Sequence, residues 1–431
     1  MGWRSRLKAS SRSRRSGTHA RTESRPRLVA ALRAAIRAQG PLTVAAYLEQ
    51  VLYHPTLGYY SALQAPPGAH GDFYTSPEVH AAFGALLARQ VREVWERLER
   101  PAPFVVEEWG GGSGRLAHDF LTAAQAEAPA FAAAVRYRLV ERSAALRRWQ
   151  QRQLRPWSAQ VEWVAPEAAA AGGLAPLPPA LEGVLLANEL LDAFPVHRVV
   201  WRQGGLYERY VTLADAGFAE IDGPPSTPAL AAYFARLGLR PPDDHLAEVN
   251  LAALAWLRAQ AARLRRGALL LIDYGHPAEV LYSARYPRGT LRGYSRHALS
   301  ENLYARVGRQ DLTSQVDLTS LLLEGRAAGL APLGLARQAD FLRRLGLDTW
   351  RETVRGGRLP VVVERGELAA LDTLTNPGGL GRLWVVGFGR ELGAQPLHGL
   401  DEQAAPLAIP PPLAPERPRL GWDRWPSPGR G

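Results

Sequence analysis

The sequence predicts a doubly wound, Rossmann-like α/β fold, and three observations carry the prediction. From Phe104 onward, short apolar runs alternate with helix-patterned stretches, the signature of parallel strands joined by crossover helices. Four glycines, Gly110, Gly111, Gly112 and Gly114, separate the first of these strands from a helix, the place where doubly wound sheets hold nucleotides. Two alternating runs around Gly204-Gly205, residues 197–213, interrupt the pattern as a β-hairpin inserted between the fourth and fifth strands.

Taken in order, residues 1–27 form a basic tail without apolar periodicity. Residues 28–100 read as a helical N-terminal region. "RLVAALRAAIRAQGPLTVAAYLEQVLYHPTLGYYS" has helical apolar spacing broken at Gly40-Pro41 and ending in a turn at Gly58. A Gly- and His-containing loop, "GAHGDFYTSPEV", leads into a helix expected over 77–99, with Ser76-Pro77-Glu78 as its start. The first part of the core spans 101–196 and holds "FVVEEW", "RYRLVE", "VEWV" and "GVLLANE" as buried strands. The insertion, 197–265, contains the hairpin and a short helix framed by proline-rich loops. The second part of the core, 266–395, opens on "GALLLIDYG", carries a polar stretch and a helix over 290–330, and closes on "GRLWVVGFGREL", a late strand expected to pair antiparallel at the end of the sheet. Residues 396–431 read as a Pro-rich tail.

Composition excludes several classes of chemistry. The chain of 431 residues has no cysteine, so thiolate metal sites, disulfides and cysteine nucleophiles are ruled out, and no metal site is expected. Its only lysine is Lys8, in the basic tail, which removes the P-loop, the kinase strand lysine and Schiff-base chemistry. The patterns HExxH and GxSxG are missing too. No stretch approaches the roughly 18 apolar residues of a membrane span, so the chain is read as soluble. Eight arginines and Lys8 against Glu23 alone place most of the net charge of +11 in residues 1–27 and leave the body nearly balanced. That tail has the Arg- and Ser-rich, acid-poor composition of a mitochondrial transit peptide. The near-replacement of Lys by Arg, with abundant Ala, Gly and Pro, is instead the usage of a bacterial high-GC chain, which implies the bacterial cytoplasm, or the mitochondrial matrix if the chain is eukaryotic.

The glycine spacing separates candidate ligands. A dinucleotide loop reads G-x-G-x-x-G and presents a helix N-terminus to a pyrophosphate. Here the third glycine comes one residue early, and Glu107 and Glu108 precede the loop, where a carboxylate repels a pyrophosphate. The series Glu108-x-Gly110-x-Gly112-x-Gly114 suits S-adenosylmethionine, which carries a sulfonium and an amino group and no phosphate. Glu141, ending the second strand, is placed for a bidentate hydrogen bond to ribose hydroxyls, a feature that NAD shares. Past the fourth strand come Asn188, Glu189 and Asp192. Two carboxylates there suit a cationic nucleophile such as a guanidinium.

An ordered set of segments, "GPLTVAAYLEQVLYHPTLGYY", "GDFYTSPEV", "EWGGGSGRL", "LVERSAALR", "NELLDAFPVH", "DYGH", "GTLRGYSRH" and "DLTSQVDLTSL", resembles the MidA family of S-adenosylmethionine-dependent methyltransferases over roughly residues 40–330. The mitochondrial members of that family are complex I assembly factors that methylate a protein arginine. The resemblance implies a class I methyltransferase sheet with a helical N-terminal extension and an inserted subdomain. It implies S-adenosyl-L-methionine as cofactor and a protein acceptor, by analogy a respiratory complex I subunit; no specific nucleic-acid partner is expected. Residue by residue, Glu108, Gly110, Gly112 and Gly114 fall on the donor loop, Glu141 on the ribose acid, and Asp72, Thr75 and Ser76 on a segment lying over the donor. Asn188, Glu189 and Asp192 fall on the acceptor motif, and Asp273, Tyr274 and His276 on D-Y-G-H beside it. In-line transfer is then expected, with Glu189 and Asp192 aiming the guanidinium and His276 available for the proton. The chain departs from the family's G-P-G-R-G loop by carrying Gly111 and Ser113 at the variable positions. The rival readings are a donor-binding assembly chaperone without turnover, an NAD-dependent oxidoreductase and an RNA methyltransferase.

Overall fold

The computed structural model describes residues 24–62, 75–165, 180–215, 217–295, 298–357 and 359–411. In chain order its principal strands are β1 (Phe104–Trp109), β2 (Val135–Val140), β3 (Val161–Val164), β4 (Leu181–Asn188), β5 (His197–Arg202), β6 (Gly205–Ala214), β7 (Gly217–Gly223), β8 (Leu246–Val249), β9 (Leu264–Asp273), β10 (Ala331–Arg337) and β11 (Trp384–Arg390). Seven of them form one sheet in the order β10-β11-β9-β4-β1-β2-β3. The five strands read from the sequence, β1 to β4 and β9, run parallel. The expected late strand β11 pairs antiparallel with β9, from Gly267 opposite Arg390 to Asp273 opposite Trp384. It also pairs antiparallel with β10, a strand the sequence pattern did not reveal. Pro332 and Gly334 dilute its alternation, and its register shifts between those residues.

Crossover helices cover both faces, as short βα connections require. Helices Ala82–Arg97, Arg115–Glu127 and Gln338–Arg344 pack with Val106, Tyr137, Val184 and Leu270 on one face. Helices Ala229–Leu237, Leu251–Arg263 and Leu318–Ala327 pack with Trp109, Leu185 and Leu269 on the other. Alternation along β1 therefore turns Val106 and Glu108 to one side and Val105, Glu107 and Trp109 to the other. The hairpin of β5 and β6 is present; β8 adds to β5 and β7 to β6, making a second antiparallel sheet. The N-terminal helices, Pro26–Gln39 and Val44–Tyr53, pack on this inserted sheet, and Leu42 and Thr43 pair antiparallel with Val211 and Tyr210 of β6.

Two boundaries differ from the sequence reading. The helix expected over 77–99 is broken into Ser76–Val79 and Ala82–Arg97, because His80 is extended and its Nδ1 accepts the Ala82 N–H at 2.9 Å, capping the second piece. Residues 396–411 of the expected Pro-rich tail pack on the core instead: Leu397 and Leu400 are buried, and the Leu407 N–H donates to the Arg344 carbonyl at 2.9 Å. Beyond a single 3-10 turn at His398–Leu400 the segment is irregular, yet Leu397 and Leu400 are still buried.

One ion pair ties the insertion-side helix to the sheet. The Glu107 carboxylate is fully buried and receives Arg263 in a two-pronged contact at 2.8 and 2.8 Å, Arg138 at 3.0 Å and the Trp109 indole N–H at 2.7 Å. These partners hold its carboxyl below the usual carboxylate range despite burial. Removing one member strands the other charge in the interior. Arg263→Met is expected to lower stability by about 3–5 kcal/mol, read as a shift in the urea midpoint, with ligand affinity of the folded fraction unchanged.

Candidate functional site

The parallel strands end at one edge, where β1, β2, β4 and β9 deliver Gly110, Glu141, Glu189 and Tyr274. Gly110, Gly112 and Gly114 all have positive φ, +71°, +52° and +86°, which explains why glycine recurs at alternate positions. Gly111 is there for space, since a Cβ would stand 2.4 Å from the Leu139 side chain. The turn is stitched by Gly110 N–H to the Val140 carbonyl at 3.0 Å and by Gly114 N–H to the Gly111 carbonyl at 2.7 Å, and Gly114 opens the helix Arg115–Glu127. Ser113 is buried. Its hydroxyl donates to Glu78 and accepts the Arg115 N–H at 3.2 Å. Both departures from the family loop are thus accommodated by local packing.

On the face opposite Glu107, Glu108 is 3% exposed and accepts a hydrogen bond from the Tyr137 hydroxyl at 2.7 Å. Burial, reinforced by repulsion from Glu141, pushes its carboxyl up to about 7. Glu141 is pushed up to about 7 by burial as well, although it accepts the Ser143 N–H at 2.7 Å. Gln150 joins the two elements: its side-chain amide donates to the Gly112 carbonyl at 3.0 Å and reaches the Glu141 carboxylate at 3.5 Å. Sequence reading missed Gln150, which looked like one polar residue among many on an Arg- and Gln-rich helix.

Beyond β4 the chain turns sharply. Glu189 has φ +49°, and its N–H donates to the Ile272 carbonyl at 2.7 Å. Its Oε1 accepts the Ser76 N–H and the Asn188 side-chain amide, both at 3.2 Å. Burial and the nearby Asp273 push this carboxyl up to about 8. Asp273 organises the turn, with Oδ2 accepting the Leu191 and Asp192 N–H groups at 2.9 and 3.2 Å and Oδ1 accepting that of Tyr274 at 2.8 Å. Its own carboxyl is pushed up to about 7 by burial. Asp192 lies well above the usual range through burial and repulsion from Asp273, Glu189 and Asp311. None of Glu108, Glu141, Glu189 and Asp192 forms a salt bridge among the described residues, in contrast to Glu107.

Several sequence-predicted residues are therefore brought together, and some are not. Ser76 is buried, its hydroxyl donating to Gln338 at 2.9 Å while its N–H engages Glu189. Thr75 precedes the short helix without a side-chain capping bond, and Asp72 lies outside the described residues. His276 stands apart from the carboxylates. Its Nε2 meets the Tyr286 hydroxyl at 2.9 Å, and burial with Arg285, Arg337 and Arg382 lowers its proton affinity. Residues the sequence reading did not single out complete the edge. The Tyr60 hydroxyl donates to Asp311 at 2.6 Å, the Tyr53 hydroxyl donates to the Ala193 carbonyl at 2.9 Å, and the two rings stack 5.3 Å apart. Tyr60 was signalled only by the "GYY" run, which a helix-ending turn explains equally well, and Tyr53 only as one more residue of a helical pattern. A surface cavity of about 450 Å³ lined by Arg198, Glu220 and Tyr304 belongs to the inserted sheet and is not this site.

The raised carboxyls have a consequence for stability. A group that holds a proton more tightly when folded stabilises the fold below its unfolded value near 4, and that contribution is lost as pH rises through the folded value. With Glu108 and Glu141 at about 7 and Glu189 at about 8, the melting temperature of the ligand-free protein is expected to fall as pH rises from about 5 to about 8. Glu108→Gln and Glu189→Gln each flatten that slope when followed by calorimetry.

Comparisons with known proteins agree with this geometry. A family model described as an S-adenosyl-L-methionine-dependent methyltransferase matches residues 86–336. The mouse protein arginine methyltransferase NDUFAF7, mitochondrial, is 30% identical over 84% of this chain and 84% of its own length. The human protein of the same name is 29% identical over 80% of this chain and 79% of its own. A crystal structure from Burkholderia thailandensis, solved with S-adenosyl-homocysteine bound, superimposes with a TM-score of 0.74 at 30% identity, covering 87% of this chain and 95% of that one. The chain belongs to the MidA-like family of S-adenosyl-L-methionine-dependent methyltransferases.

Proposed function

We propose that this methyltransferase modifies a guanidinium nitrogen of an arginine in a protein, and that Glu189 and Asp192 hold that arginine. The observation that carries the reading is the pair itself: two carboxylates past β4, Asp192 buried and Glu189 half-buried, without a salt-bridge partner among the described residues and both with raised proton affinity. Such an arrangement is unfavourable until a cation enters, and a guanidinium offers a planar fork of donors that matches it. The names of the mouse and human relatives point the same way. By the family resemblance, the acceptor protein is a respiratory complex I subunit. The compartment is that of the mitochondrial relatives if the chain is eukaryotic and the bacterial cytoplasm otherwise.

The donor side fits S-adenosyl-L-methionine on the same physical ground. Glu108 and Glu141 are buried and unpaired by cations, Gly110, Gly112 and Gly114 bring bare main chain to the edge, and a side chain at Gly110 would strike Leu190 at 2.9 Å. In this reading Glu141 takes the ribose hydroxyls, Glu108 and the glycine loop face the methionine end, and Ser76 and Thr75 line the segment above. When bound, the donor supplies an electrophilic methyl group. The protein orients the attacking nitrogen and receives the proton that nitrogen sheds. Oε2 of Glu189 is suited to that proton, because Oε1 is occupied by the Ser76 and Asn188 donors and the carboxyl is pushed up to about 8. His276, beside three arginines, is the poorer acceptor.

Glu108→Ala and Glu141→Ala are expected to weaken S-adenosyl-homocysteine binding by about tenfold or more in titration calorimetry, each removing a buried charged acceptor. Glu189→Gln and Asp192→Asn should retain that binding while turnover falls by about a hundredfold. The acceptor is identified by incubating the enzyme with labelled methyl donor and cell extract, then digesting the labelled product. Label on methylarginine supports the reading; label on lysine or RNA, or donor binding without any transfer, refutes it.

A further inference from the structure

We infer that Arg285, Arg337 and Arg382 form a basic rim next to the acceptor carboxylates that recognises an acidic side chain of the protein substrate near its target arginine. This rests on the arginine-acceptor reading of the adjoining site and adds to it a determinant of substrate choice.

The rim is placed by sheet register. Asp273, at the end of β9, is opposite Trp384 of β11, and Trp384 is opposite Arg337 of β10. Two strand spacings therefore separate the carboxylate that organises the acceptor turn from the first arginine. Each guanidinium has an aromatic ring beneath it. Arg337 lies 3.5 Å from the centre of the Trp384 ring, Arg382 lies 5.4 Å from that of Tyr274, and Arg285 lies 5.6 Å from that of Tyr286. The rings are fixed in turn: the Trp384 indole N–H donates to the Gly275 carbonyl at 3.0 Å, and the Tyr286 hydroxyl meets His276 at 2.9 Å. Arg337 also donates to the Arg382 carbonyl, which joins two of the three. An aromatic plate holds a guanidinium by its face and leaves its N–H edges outward.

What joins these three is that they cluster, each against an aromatic ring and none against an acid. Several arginines elsewhere are paired with acids: Arg89 with Glu127, Arg138 and Arg263 with Glu107, Arg198 with Glu220 and Glu248, and Arg209 with Asp222. Among the described residues Arg285, Arg337 and Arg382 form no salt bridge, and the nearby Asp340 is engaged with Arg343 at 3.1 Å. Clustered like charges repel, and Arg337 is held below the usual arginine range by burial and by Arg382. Tyr274 connects rim to centre, since Glu189, Asp192 and Arg382 all act on its hydroxyl. A cationic rim around an anionic centre matches a peptide that presents arginine and, displaced from it, glutamate or aspartate. A nucleic-acid strand fits less well, because its continuous phosphates would run into Glu189, Asp192 and Asp273.

The experiment uses the full-length enzyme and short synthetic peptides carrying one central arginine, with a glutamate placed at successive distances on either side, and a matching set with glutamine. For wild type, one glutamate placement is expected to lower KM by about fivefold or more relative to its glutamine twin. Arg337→Gln and Arg382→Gln should each erase most of that difference, leaving the glutamine peptide and S-adenosyl-homocysteine binding unaffected. Arg382→Glu should reverse it in favour of a lysine-containing peptide. Equal losses on both peptides would assign the arginines to the fold and overturn the rim, as would the absence of acid-dependent KM at every placement. Peptide binding is measured in parallel by calorimetry with S-adenosyl-homocysteine present. Arginine-dependent transfer with no acid preference leaves the acceptor reading intact and removes the rim. Acid-dependent binding lost in Arg382→Gln, with no methylation of any arginine, retains the rim and removes the acceptor reading. Salt-sensitive binding of a labelled single-stranded RNA, abolished by the same substitutions, would assign the rim to nucleic acid instead.

Discussion

Burial of carboxyl groups without cations at the carboxyl edge of the sheet is the constraint on which the site depends. Glu107 and Glu108 are neighbours on β1 and both are buried, yet they have opposite chemistry. Alternation turns Glu107 toward Arg263 and Arg138, which neutralise it and make it part of the scaffold. It turns Glu108 toward Tyr137 and Glu141, which leave its charge uncompensated. Glu189 and Asp192 repeat the second condition one strand away. Burial without a cation raises the proton affinity of such acids, so a cation placed beside them would favour their ionised form.

The remaining architecture serves to hold these acids in place. Asp273 fixes the turn after β4 by accepting three main-chain N–H groups, which allows Glu189 its left-handed backbone and aims its carboxylate back toward Ser76. The short helix Ser76–Val79 touches both halves of the edge, Ser76 reaching Glu189 and Glu78 reaching Ser113 of the glycine loop. The N-terminal helices and the inserted sheet form one body through the pairing of Leu42 and Thr43 with β6, and that body carries Tyr53 to Ala193 and Tyr60 to Asp311. Segments far apart in the chain thus supply successive parts of one pocket edge.

Much of this was legible in the sequence because the signals were local. The parallel strands follow from apolar runs, the hairpin from Gly204-Gly205, and the loop from alternating glycines whose positive φ excludes other residues. Other features were hidden for physical reasons. β10 is an edge strand whose Pro332 and Gly334 blur its alternation. The break at His80 depends on a side-chain cap that no periodicity encodes. Tyr60, Asp311 and Gln150 acquire their roles only from partners in other elements.

By itself the sequence determined the doubly wound core, the alternating-glycine loop after β1, and the acids at the ends of β1, β2 and β4, since each is written in residues adjacent along the chain. Tertiary structure alone decided which acids are neutralised by arginine and which are not. It separated Glu107 from Glu108 and set His276 among Arg285, Arg337 and Arg382 instead of carboxylates. The reason is that charge compensation is a property of distance in space, and the compensating groups come from other elements, Arg263 lying 156 residues from Glu107 and Arg138 31 residues from it.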